Sequence, residues 1–120
     1  MTIRRLKTYT GAQGFVYQYY FVGRRSVRAG PSQCGVSEYL FDVSSDRKST
    51  YEVGIFLPQQ VIADWTRVHG RSLSDAEQYA AVKMRLFRAF DEIENMQAEG
   101  RRLQIDFSSL ESSLAGLGVE

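Results

Sequence analysis

The chain has 120 residues, of which 43% are hydrophobic and 24% charged. That excludes a disordered polymer and fits one domain around one core. A net charge of +1 is far from the balance of a strongly basic nucleic-acid domain, and the lone Cys34 excludes an internal disulfide and a cysteine-based zinc site.

No apolar run approaches the ~18 residues of a membrane span, and none follows Met1 as a signal-peptide core. With one cysteine, the expected compartment is the reducing cytoplasm. Charge is unevenly distributed. Residues 1–37 hold Arg4, Arg5, Lys7, Arg24, Arg25 and Arg28 and no acid, giving +6. The remainder holds nine Lys/Arg and fourteen Asp/Glu, giving −5. Such asymmetry marks either an anion-binding face or two halves of one molecule that lie against each other.

The first half reads as strands. Residues 15–22 are aromatic and β-branched, which suits a pleated surface. Phe15, Tyr17, Tyr19 and Phe21 share one face, and Val16, Tyr20 and Val22 the other. Both faces are apolar, so the pattern leaves open which is buried; such a strand is central or interfacial. Gly11, Ala12, Gln13 and Gly14 form a turn that makes 3–9 its hairpin partner. Residues 24–33 read as a loop, with Gly30, Pro31 and Ser32 as its turn. Residues 36–43 form the next strand, Tyr39, Phe41 and Val43 opposing Glu38, Leu40 and Asp42. A polar turn at 44–49 leads into a strand over 51–57, completing an antiparallel meander.

Helices follow. Pro58 suits a first helical position, Val61, Ile62, Trp65 and Val68 recur at helical spacing, and Gly70 closes the run. Ser74 and Glu77 form a capping box that opens a helix running to about residue 97. Its stripe is Tyr79, Val82, Leu86, Phe90 and Ile93. Leu103, Ile105 and Phe107 alternate as a short strand that joins the sheet edge. Ser108 and Glu111 repeat the capping box before a last short helix carrying Leu110, Leu114 and Leu117. Strands before helices is α+β order. The expected fold is therefore one α+β domain over 1–120: a four- to five-stranded antiparallel sheet, meander first. Two main helices and a short C-terminal helix pack on one of its faces.

Three functional classes follow. The leading one is a non-enzymatic interaction module that self-associates as a homodimer, or docks another protein, through Val16, Tyr20 and Val22, with Arg24, Arg25 and Arg28 at the rim. The second is a small-molecule site between sheet and helices, bordered by Tyr17, Tyr19, Trp65 and Lys83. The third is a single-stranded nucleic-acid surface pairing the N-terminal cations with Tyr9, Tyr17 and Tyr19; it requires all six cations on one face. Lys83 falls inside an apolar stripe, where its stem packs and its ammonium reaches outward, or where desolvation would make it a base. Cys34 and His69 form a nucleophile and base only if the fold joins them; His69 at a helix C-terminus is equally explained by the dipole there. No catalytic set, metal site or cofactor loop is expected: calcium-loop, phosphate-loop and dinucleotide patterns are all missing.

Overall fold

The computed structural model describes residues 6–28 and 35–119. Its order is β1 (Lys7–Thr10), β2 (Val16–Arg28), β3 (Gly35–Ser44), β4 (Tyr51–Pro58), α1 (Gln59–His69), α2 (Asp75–Glu92), α3 (Met96–Glu99), β5 (Arg102–Gln104) and α4 (Phe107–Gly116). The expected α+β class is what forms. One sheet has the order β1-β2-β3-β4-β5, and its first four strands are the antiparallel meander.

Strand alternation fixes the core. Tyr17, Tyr19, Tyr39, Phe41, Val43, Tyr51, Val53, Ile55, Leu57 and Leu103 point to one side. There they meet Trp65 of α1, Val82, Leu86 and Phe90 of α2, and Leu110 and Leu114 of α4. The ambiguity of strand 15–22 is thereby resolved toward Tyr17 and Tyr19. Tyr17 stacks on Phe90 at 4.2 Å between centroids, and Tyr19 meets Phe87 edge-on at 5.6 Å. These offset and edge contacts add to the area that each ring removes from water.

Five boundaries depart from the pattern. Residues 24–28 are strand, not loop: β2 pairs with β3 as far as Arg28 opposite Gly35, after a bulge between Phe21 and Gly23 in which Val22 is the extra residue. The rest of that expected loop, including its Gly30-Pro31-Ser32 turn, lies outside the described residues. Pro58 ends β4 and caps α1 from outside, with φ −66° and ψ 141°, instead of opening the helix. Helix α2 stops at Glu92, where Ile93 turns extended (φ −97°, ψ 117°). Asn95 then starts α3 by accepting from the Ala98 N–H. Asparagine competes for backbone groups inside a helix but satisfies them at a cap. Strand β5 runs parallel to β4, since three helices intervene and carry the chain back to the starting end. Asp106, not Ser108, caps α4 and draws Phe107 into the helix.

The Ser74–Glu77 capping box forms as expected, with both reciprocal hydrogen bonds. Gly70 closes α1 at φ 73°, a left-handed conformation that a Cβ disfavours. Among the described residues no helix is long and apolar enough to cross a membrane.

Candidate interaction surface

The second sheet face carries no described helix. Every helix residue that is buried belongs to the single cluster on the Tyr17–Phe41 side. Register places Val16, Gln18 and Tyr20 of β2 on the opposite side, with Leu40 and Asp42 of β3 and Glu52, Gly54 and Phe56 of β4. Arg102 and Gln104 of β5 complete that face.

This surface mixes apolar and paired polar groups. Val16 and Val22 are 38% and 37% exposed, whereas Tyr20 and Leu40 are half-buried. Tyr20 Oη donates to Asp42 Oδ2, its cross-strand neighbour. Arg25 Nε donates to Glu38 Oε1, also directly across the ladder. Glu38 is buried although it stands on the uncovered side. Its partner Arg25 keeps that carboxylate from being an uncompensated charge. Phe56 is buried outside the main core, because the Arg102 guanidinium lies 5.3 Å above its ring. The planar cation shields the ring where no helix does.

The residues singled out from sequence are distributed as follows. Val16 and Tyr20 share the uncovered face, with Val22 in the adjoining bulge. Arg24 and Arg25 diverge. Arg24 turns to the helix side, 5.8 Å over the Tyr39 ring and 3.8 Å from Asp75, while Arg25 joins Glu38 on the other. Arg28 closes β2. A nucleic-acid platform with all six cations on one face therefore finds no support in the Arg24–Arg25 pair; Arg4 and Arg5 lie outside the described residues.

Tyr17, Tyr19 and Trp65 are packed in the core. Trp65 stacks on His69 at 4.1 Å and lies under Arg71, whereas Tyr17 stacks on Phe90. Burial raises the Tyr17 and Tyr19 hydroxyl pKa values, so both stay neutral. Lys83 places its ammonium 5.1 Å over the half-buried Tyr79 ring, one turn back on the same helix. His69 Nε2 stands 3.3 Å from Glu111 Oε2, bridging α1 to α4; Cys34 lies outside the described residues. No group of three or more metal-ligating side chains occurs among the described residues.

Sequence reasoning missed the surroundings of Gly54. An open cleft of about 320 Å³ there is lined by Arg25, Glu38, Glu52, Gly54, Arg101 and Arg102. The available signal was the glycine itself, set between Val53 and Ile55 inside a strand, where it marks close approach by another group. No known family model, curated protein or solved structure matches this chain.

Proposed function

We propose that the protein is an interaction module that self-associates as a homodimer through the uncovered sheet face. One observation carries the reading: no described helix packs on that face, although it holds Val16, Tyr20 and Leu40 beside the exposed Val22. Covering apolar area contributes about 25 cal/mol per Å². A face that pairs Tyr20 with Asp42 and Arg25 with Glu38 before any partner arrives leaves none of these four side chains unpaired when water is expelled. A two-fold dimer presents the same patch from both copies, so one apolar surface suffices for both sides.

Sedimentation equilibrium over a concentration series tests this. The expected mass rises to that of a dimer. The double variant Val16→Lys, Val22→Lys is expected to remain monomeric with an unchanged circular-dichroism spectrum, since both side chains already face solvent. A monomer at every concentration, with no binding of an apolar dye, refutes the reading.

A further inference from the structure

The cleft around Gly54 spans the uncovered face from Arg25 of β2 and Glu38 of β3 to Arg101 and Arg102, and neither Val16 nor Val22 lines it. Its six lining residues fall into two groups. Arg25 and Glu38 satisfy each other through an ion pair. Arg101, Arg102 and Glu52 do not. Among the described residues, no carboxylate lies within ion-pair distance of Arg101 or Arg102, and no cation within that distance of the Glu52 carboxylate. Opposite charges thus line one depression without joining.

Both arginines are held by something other than an anion. Arg101 Nε donates to the Glu52 backbone carbonyl at 3.0 Å. That bond orients the guanidinium, and among the described residues its two terminal nitrogens make no hydrogen bond. Arg102 is held over the Phe56 ring. The floor between them is Gly54, whose missing side chain leaves room for the Glu38 carboxylate. Guanidinium groups oriented in advance lose little freedom on meeting a planar oxyanion, which they bind through paired N–H donors. A doubly negative phosphate would also face Glu38 and Glu52, so the arrangement favours a single negative charge accompanied by a positive one.

We infer that this cleft binds a small zwitterion of the α-amino-acid class, its carboxylate on Arg101 and Arg102 and its ammonium on Glu52. The volume is at the small end of ligand sites, which begin at roughly 300 Å³. Such a ligand bridges the unpaired charges of both signs, which neither a simple anion nor a simple amine does.

Amide chemical-shift titration of the full chain with each common L-α-amino acid, acetate, ethylamine and inorganic phosphate provides the test. At least one amino acid is expected to move the Glu52, Gly54, Arg101 and Arg102 amides at concentrations of about 1–10 mM, with acetate and ethylamine silent. Arg102→Gln and Glu52→Gln are each expected to weaken binding about tenfold, a change of ~1.4 kcal/mol, with the remaining amide spectrum retained. The Val16→Lys, Val22→Lys variant is expected to bind normally, which separates this site from self-association. The inference is overturned if no amino acid moves these amides. It is equally overturned if acetate or phosphate binds as tightly as the best amino acid and Glu52→Gln has no effect.

Discussion

The Glu38 carboxylate lies across the Cα of Gly54: a Cβ built at Gly54 would stand 2.5 Å from Glu38 Oε2. The two residues sit on neighbouring strands and on the same face, Gly54 opposite Leu40 and Glu38 opposite Phe56, two residues along. A buried carboxylate therefore occupies the volume that a side chain on β4 would need. Gly54→Ala must push Glu38 outward and loosen its bond to Arg25. The expected cost is about 1–3 kcal/mol, the usual range for overpacking, read as a lower urea midpoint. In a Glu38→Ala background the obstruction is gone, and the same substitution is expected to be nearly neutral. Equal costs in both backgrounds would mean that the contact does not constrain the strand.

A second constraint ties the first hairpin to the far end of α2. Asp91 accepts from Tyr9 Oη, with its two oxygens at 2.9 and 3.0 Å, and from the Ala12 N–H at 2.9 Å. Asp91 sits in the last turn of α2, where the helix dipole disfavours a negative charge. Those two donors compensate for the position. The turn comes so close that a Cβ on Gly11 would be 2.7 Å from the Phe90 carbonyl oxygen. Asp91→Ala is expected to cost about 1–3 kcal/mol, since two donors lose a charged acceptor. Hydrogen exchange of the 11–15 turn should accelerate before that of β3 and β4. Uniform acceleration would show that the turn does not open by itself.

The parts of this fold legible in the sequence are those governed by local chemistry. The Ser74–Glu77 box, the Gly70 stop and the alternation over 51–57 each depend on residues a few positions apart, and each formed. What failed depended on distant partners. Arg24 and Arg25 look like loop residues until β3 is alongside to pair with them. The choice between two apolar faces of β2 was made by Phe87 and Phe90 of α2, far along the chain. The charged cleft was not legible, because it assembles β2, β3, β4 and the start of β5.

Tyr39 is buried on the helix side, and its hydroxyl has no hydrogen-bond partner among the described residues. Phe21 and Tyr79 surround the ring, and Arg24 covers it. A buried hydroxyl without a partner loses its bonds to water and regains nothing. Tyr39→Phe removes that oxygen and keeps the ring contacts. The expected result is a gain of about 1 kcal/mol in unfolding free energy, measured by urea denaturation. A loss of similar size would reveal a hydrogen bond that the hydroxyl makes in solution.

Acid and alkali should destabilise the protein through different groups. Glu77 accepts from both Arg71 terminal nitrogens and from the Ser74 backbone N–H. Arg71 first, then that N–H, hold its carboxyl down to about 2, below the ordinary 4.5. The folded form therefore releases this proton more readily than the unfolded form. Its stabilising contribution is complete above pH 4.5 and disappears as pH falls toward about 2. Asp46, lowered by the Ser49 and Lys48 backbone N–H groups, acts in the same direction. The tyrosines do the reverse. Burial raises Tyr17, Tyr19 and Tyr79 above 10.0, so folding holds their protons and stability declines as pH rises beyond that value. Urea titrations across pH should thus give a plateau with two falling limbs. Glu77→Gln keeps an acceptor for the capping box but removes the charge. It should flatten the acid limb and leave the alkaline limb where it was; an unchanged acid limb would show that Glu77 titrates alike in the folded and unfolded chains.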